Sequence, residues 1–257
     1  MNSPDPEVLI FPDAAALSQA AVQRFAAIAH EAVAARGRFT VALSGGGTPQ
    51  ALYRLLSRPP YVEVVPWAQT HVFWGDERLV PPDHPGSNYG QAAHILLDRV
   101  PIPAAHIHRA RGELAPDAAA ADYSRQLAHF ATRERAWPRL DLALMGMGGD
   151  GHTASLFPGP IPDAEKQQPV MAVTADYNGR PAQRITLTPL VFNDARHVFF
   201  LVTGESKAAA LAAVLHGPFQ PKQWPAQRIQ PANGKLIWMV DEAAAGRLAP
   251  PPTANEP

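Results

Sequence analysis

Leu140-Asp141-Leu142-Ala143-Leu144-Met145-Gly146-Met147-Gly148-Gly149-Asp150-Gly151-His152 is the stretch on which the reading of this chain turns. Its first half is a short apolar run that predicts a buried strand. Its second half leaves that strand through four glycines, which let backbone approach a ligand closely. It then presents a carboxylate and an imidazole two residues apart. Glycines alone imply a turn; glycines that carry Asp150 and His152 off a strand end imply a site.

The same arrangement recurs on either side. The apolar run 39–43 leads into Ser44-Gly45-Gly46-Gly47-Thr48-Pro49 and a helix expected from about residue 49 to 57. The run 70–74 ends in Gly75-Asp76-Glu77-Arg78. The run 197–202 passes through Gly204 into a helix expected over 205–215, with Lys207 in its first turn. Further strands are expected at 8–11, 170–174, 184–187 and 236–240. Further helices are expected from an Asp13 cap to Gly37, near 88–97 and near 116–134. Strands alternating with helices predict an α/β fold with a mainly parallel sheet flanked by helices. Ligands in such sheets bind beyond the carboxyl ends of the strands, so the loops 44–48, 75–78, 146–152 and 203–207 are expected to converge. Proline-rich segments at 59–66, 81–85, 158–169 and 218–231 read as irregular connections, and the tail of about eight residues from Ala249 as frayed.

Composition narrows the function classes. The 257 residues are 46% hydrophobic and 18% charged, a globular balance. A net charge of -1 gives no general attraction to nucleic acid or to an anionic membrane. The lack of cysteine excludes disulfides, thiolate chemistry and Cys-ligated metal. No run of ~18 apolar residues predicts a membrane span, and residues 1–7 lack the pattern of a secretory signal. A cytoplasmic protein is expected.

Each motif has a plain reading beside the functional one. In 44–49, Thr48 is expected as the N-cap and Pro49 as the first helical residue, so free N–H groups and the helix dipole favour an anion. No Walker lysine follows, which excludes a nucleotide P-loop; the plain alternative is a tight turn. Gly146-x-Gly148-x-x-Gly151 matches the dinucleotide fingerprint only literally. The acids that follow, Asp163 and Glu165, lie in a proline-rich loop rather than at a second strand end. Asp150 and His152 form an acid/base pair if they meet, since an imidazole with a pKa near ~6.5 accepts a proton from water at neutral pH. Otherwise Asp150 only braces its loop. Arg78 suits bidentate capture of a carboxylate or phosphate, or marks a solvated strand end. Arg184 and Lys207 read singly as surface charges, although a cation at a helix N-terminus opposes the dipole unless an anion binds there. His106-Ile107-His108 has no further clustered ligand, so no metal site is expected, and His71, His84 and His197 carry no pattern.

Together, Ser44 to Pro49, Trp74-Gly75-Asp76-Glu77-Arg78, Ser87-Asn88-Tyr89 and the run from Gly146 to Pro158 resemble the 6-phosphogluconolactonase family, in order and along nearly the whole chain. That family is similar to glucosamine-6-phosphate deaminase/isomerase, which shares its Rossmann-like α/β fold. The deaminase motif usually ends in tyrosine where this chain has Arg78. The deaminase also carries a glutamate shortly after Gly-Asp-Gly-His, where this chain continues Thr153-Ala154-Ser155-Leu156-Phe157-Pro158. Both departures favour the lactonase.

The resemblance implies one domain over residues 1–257. It implies hydrolysis of 6-phospho-D-glucono-1,5-lactone to 6-phosphogluconate, the second step of the oxidative pentose phosphate pathway. His152 matches the general base, Arg78 a substrate-contacting arginine, and Asp76 and Asp150 the acidic positions beside them. Ser44, Gly45, Gly46, Gly47 and Thr48, with Arg184 and Lys207, match the phosphate site. No metal or organic cofactor is implied. The implied partner is a small phosphosugar lactone, with no nucleic acid or membrane, and the chain is expected as a monomer or small homo-oligomer. The alternatives are an aminosugar-phosphate deaminase and a non-catalytic sugar-phosphate sensor, although no helix-turn-helix with a basic face is visible.

Overall fold

Buried apolar runs and capped helices build two sheets of unequal size in a computed structural model, which describes residues 6–131, 133–177 and 179–248. The strands are β1 (Glu7–Phe11), β2 (Phe39–Leu43), β3 (Thr70–Trp74), β4 (Asp76–Arg78), β5 (Leu142–Met145), β6 (Val170–Thr174), β7 (Gln183–Leu187), β8 (His197–Val202) and β9 (Lys235–Asp241). The helices are α1 (Ala14–Arg36), α2 (Gly47–Leu56), α3 (Tyr61–Val64), α4 (Asn88–Ile95), α5 (Pro116–Ala128), α6 (Ala164–Gln167), α7 (Pro189–Phe192), α8 (Ala208–His216) and α9 (Glu242–Ala245).

The large sheet has the order β1-β9-β8-β5-β2-β3, with every neighbouring pair parallel. Its central strands are mostly apolar because both faces are covered. Alternate residues supply the two faces. Val41, Leu43, Leu142, Leu144, Phe199 and Met239 pack with Leu17, Val22 and Phe25 of α1 on one side. Ala42, Met145, Phe200 and Trp238 pack with Leu211 of α8 and Phe192 on the other. Helix α1 begins and ends as its sequence predicts. The Asp13 carboxylate accepts the N–H groups of Ala15 and Ala16 at 2.9 and 2.8 Å, and Gly37, at a φ of 73°, donates to the Val33 carbonyl.

The small sheet, β4-β7-β6, is antiparallel and pairs Asp76 with Thr186 and Arg78 with Arg184. This corrects the expectation of a loop at 75–78. Gly75 donates to the Leu43 carbonyl and accepts from Leu187 N–H, both at 2.8 Å, so the chain steps there from one sheet to the other. The three charges that follow are 7%, 2% and 7% exposed, which overturns the solvated strand end.

Other boundaries move. Helix α2 starts at Gly47 with Gly46 as its cap, so Thr48 is not the N-cap. Helix α5 ends at Ala128, short of 134. Residues 205–207 form a 3-10 turn before α8 begins. The single-turn helices α3 and α6 interrupt the proline-rich segments. The tail from Ala249 lies outside the described residues. Among the described residues, no helix is long and apolar enough to cross a membrane.

Candidate active site

The loop leaving β5 is drawn tight by its own backbone. Gly148 N–H donates to the His152 carbonyl at 2.8 Å, Gly151 N–H to the Gly148 carbonyl at 3.0 Å, and Thr153 Oγ1 to the Gly146 carbonyl at 2.8 Å. Gly151 has a φ of 75°, which glycine adopts without strain. The turn brings Asp150 Oδ1 to 2.6 Å from His152 Nδ1, and the same oxygen accepts His152 N–H at 3.2 Å. Asp150 therefore braces the loop and also grips the imidazole. Gly148 makes this possible, because a Cβ there would overlap both side chains. Burial pushes the Asp150 carboxyl up, but the hydrogen bond and charge of His152 outweigh it and hold the group below its usual range. The loop opens no helix at Gly151, as a dinucleotide fingerprint would; the next helix is α6.

From His152 a chain of contacts leads to the small sheet. The imidazole stacks on Phe157, with centroids 4.9 Å apart, and meets Tyr177 edge-on at 4.6 Å. The Arg184 guanidinium lies 5.3 Å from the centroid of the same Phe157 ring. Arg184 is 2% exposed. Burial, then the neighbouring charge of Arg78, press its pKa below the ordinary value, against the pull of Asp76. Asp76 accepts from Ser155 Oγ at 2.7 Å and from Asn88 Nδ2 at 3.4 Å. Glu77 fixes this corner. Its carboxylate accepts the N–H groups of Arg78, Asn88 and Tyr89, each at 2.7 Å, although burial pushes its pKa up despite those bonds. Asn88 Oδ1 lies where a Cβ on Gly45 would be.

The 44–48 loop completes the circuit. Tyr53 Oη accepts Ser44 N–H at 3.0 Å and donates to the Ser44 carbonyl at 2.8 Å. Helix α2 has no side-chain cap, and Pro49 brings no N–H, so the amides of Gly47 and Thr48 head the helix without intrahelical partners. Thr48 Oγ1 meets Thr203 Oγ1 at 2.7 Å, tying this loop to the end of β8. Lys207 follows three residues after Gly204, whose φ is 92°. Burial lowers the Lys207 pKa, opposed by the charge of Asp150 and assisted by that of Arg180.

The predicted site residues Ser44 to Thr48, Asp76, Arg78, Arg184, His152, Asp150 and Lys207 thus lie along one ring, linked through Asn88, Phe157 and Thr203, with Lys207 joined to Asp150 by charge. Among the described residues, Ser44 Oγ, Arg78 Nε, Asn88 Oδ1 and Arg184 Nη2 are buried without a hydrogen-bond partner. An unsatisfied buried polar group costs ~1–3 kcal/mol, so these four, three of them able to donate, set this region apart from an ordinary core.

Sequence reasoning assigned no role to Asn88, Glu77, Ser155, Phe157 or Tyr177. Asn88 had a usable signal, its place right after the helix cap Ser87; the others meet their partners only through the fold. Another grouping was not visible in the sequence. His71 joins His108, with Nδ1 and Nε2 3.1 Å apart, and stacks on His106 at 3.9 Å. It lies near the start of β3, at the far end of that strand from Gly75. Among the described residues, no group of three or more His, Cys, Asp or Glu is placed to hold a metal ion.

The profile of the glucosamine-6-phosphate isomerases/6-phosphogluconolactonase family matches residues 12–238. A 6-phosphogluconolactonase of Synechocystis sp. is 44% identical over 222 residues, 86% of this chain and 89% of that protein. The structure of a 6-phosphogluconolactonase from Trypanosoma cruzi matches with a TM-score of 0.84 at 28% identity, over 97% of this chain and 99% of that one. A monomeric glucosamine-6-phosphate deaminase matches with a TM-score of 0.80 over 94% and 99%, but at 20% identity, which speaks for the fold alone. The Rossmann-like architecture is therefore common to both chemistries, and it is the extent of the profile match and the sequence identity that establish kinship. The chain belongs to the glucosamine-6-phosphate isomerase/6-phosphogluconolactonase family.

Proposed function

We propose that this chain hydrolyses 6-phospho-D-glucono-1,5-lactone to 6-phosphogluconate in the pentose phosphate pathway, with His152 as the general base. The 2.6 Å contact between Asp150 Oδ1 and His152 Nδ1 carries the reading of the base. With Nδ1–H donated to Asp150, the imidazole keeps its Nε2 lone pair free to accept a proton. Nε2 takes a proton from water as the water oxygen bonds to C1 of the lactone. The tetrahedral intermediate then collapses: the bond from C1 to the ring oxygen breaks, and the imidazolium returns its proton to that oxygen. The product carboxylic acid ionises, so each turnover releases one proton to solution. No step calls for a metal or organic cofactor.

The oxyanion of that intermediate falls to Arg78, whose buried Nε has no protein partner. In the glycine loop, the N–H groups of Gly148 and Gly151 are already spent on internal bonds. The substrate phosphate rests on residues 44–48 at the start of α2, with Arg184 and Lys207 supplying charge. Asp76 holds the Ser155 and Asn88 side chains beside it. This grip on a non-reacting end fixes C1 against His152.

The reading takes residues 1–257 as one domain of a cytoplasmic enzyme, monomeric or a small homo-oligomer. Its partner is the small phosphosugar lactone, without nucleic acid or membrane. The net charge of -1 supports the last point, since it gives no general attraction to nucleic acid or to an anionic membrane. The test is a pulse of fresh lactone followed by proton release and by oxidation of the 6-phosphogluconate formed. Hydrolysis well above the spontaneous rate is expected, and a rate equal to that background would refute the activity. Ammonia release from glucosamine 6-phosphate would favour the deaminase instead.

A further inference from the structure

Phe157 touches both the His152 imidazole, at 4.9 Å, and the Arg184 guanidinium, at 5.3 Å. What holds Phe157 lies outside the ring of site residues. Its carbonyl accepts from Arg228 Nη2 at 3.2 Å. The same guanidinium donates from Nε to the Pro221 carbonyl at 2.7 Å and from Nη1 to Glu165 Oε2 at 2.9 Å. The Arg228 and Glu165 side chains are 5% and 4% exposed. The segment around Arg228 backs the catalytic loop at two more points: Ala226 N–H donates to the Gly151 carbonyl at 2.9 Å, and the Lys222 carbonyl accepts Gly159 N–H at 2.8 Å. On its far side, the Glu165–Arg228 pair forms part of the wall of a cavity of about 500 Å³, together with Trp137, Pro189 and Phe219.

We propose that Arg228, held by Glu165, is a positioning residue for the proton transfer, fixing the Phe157 segment so that the Phe157 ring sets the plane of the His152 imidazole. The Asp150 contact holds Nδ1 through a single hydrogen bond, and the ring still rocks about its Cβ–Cγ bond as that bond flexes. The Phe157 ring packed on its face narrows that motion and so the direction in which Nε2 points. Burial pushes the Glu165 carboxyl up and the Arg228 guanidinium down, in each case against the pull of the partner. A buried ion pair of this kind is weak evidence for stability; its three fixed hydrogen bonds are what it contributes here.

The inference rests on His152 acting as the base, and its test separates the two. In Arg228→Lys, which keeps the charge but loses the forked geometry, kcat for the lactone is expected to fall about tenfold with KM changed by less than about twofold. The NMR chemical shifts of the His152 ring protons are expected to move as well, because the stacked Phe157 ring current acts on them. Phe157→Leu is expected to lower kcat similarly, and the double variant to be no worse than the poorer single one, because both act through one contact. Glu165→Gln, nearly isosteric, carries the same measurements if Arg228→Lys does not fold. Multiplicative losses in the double variant, or unmoved His152 ring-proton shifts in a folded variant, would overturn the proposal. If the unaltered chain has no lactonase activity, the reading of the function falls, while the ring-proton shifts still decide whether Arg228 controls the setting of His152.

Discussion

The six-stranded parallel sheet and the three-stranded antiparallel sheet bring different chemistry to one ring of residues. The parallel sheet ends in glycine loops, at 44–48 and 146–152, whose contributions are backbone amides and the Asp150–His152 pair. The small sheet contributes buried charge: β4 and β7 place Arg78 and Arg184 opposite one another in register. Like charges directly opposite across a ladder are destabilising, and here they stand 7% and 2% exposed. On the proposed function, the substrate's phosphate and the oxyanion relieve that repulsion. On that reading, the large sheet supplies the base His152 together with the 44–48 and Lys207 part of the phosphate site, and the small sheet supplies two cations, Arg78 for the oxyanion and Arg184 for the phosphate.

The most severe test of that division is His152→Ala. Loss of the base is expected to lower kcat by ~10²–10⁴ with little change in KM, measured by steady-state kinetics. An equal loss through KM alone would move His152 from the reaction to the grip. Arg184→Gln should do the reverse. Removing one charged hydrogen-bonding group is worth ~1.5–3 kcal/mol, so kcat/KM should fall ~10–100-fold, carried mainly by KM. A loss confined to kcat would break the comparison.

The smallest effect sharpens it from outside the site, by contrasting two histidine environments. His152 has a carboxylate partner, whereas His71 and His108 pack among imidazoles and Phe130. Burial, then neighbouring positive charge, lowers the pKa of His71 and of His108 to about 4. The unfolded chain takes up protons on these groups from about pH 6.5 downward, while the folded chain resists until about pH 4. Stability is therefore full above that window and is lost as pH falls through it. Both rings are partly exposed, so the discounted effect is about 1–2 kcal/mol, a few degrees in Tm. Thermal unfolding at pH 7.5 and pH 5 checks this, and a His71→Phe/His108→Phe variant should flatten the difference.

Much of the large sheet is legible before folding, because its strands are apolar runs whose boundaries coincide with caps such as Asp13 and Gly37. The glycine loops are legible for the same reason: they directly follow buried strands. The small sheet is harder to read. Asp76-Glu77-Arg78 looks like a solvated end because nothing local announces a buried strand, and its partner β7 lies more than a hundred residues away. Thr48 has the composition of a helix cap, yet its hydroxyl bonds Thr203 instead, since α2 begins at Gly47. Glu77 illustrates the limit: beside the amide of its neighbour Arg78, the amides of Asn88 and Tyr89 reach its carboxylate only after α4 folds over β4.

The chain by itself determines its α/β class, the strands of the parallel sheet, the two glycine loops and the position of Asp150 and His152 just beyond a buried strand, because hydrophobic period, caps and glycine act over a few residues. Tertiary structure alone decides that Asp150 meets His152 Nδ1, that Arg78 faces Arg184, and that Phe157, tied by Arg228, packs between His152 and Arg184. Those contacts depend on side-chain direction and on pairing between distant segments. Neither is carried by residue type or local spacing; both follow from close packing once the sheets have formed.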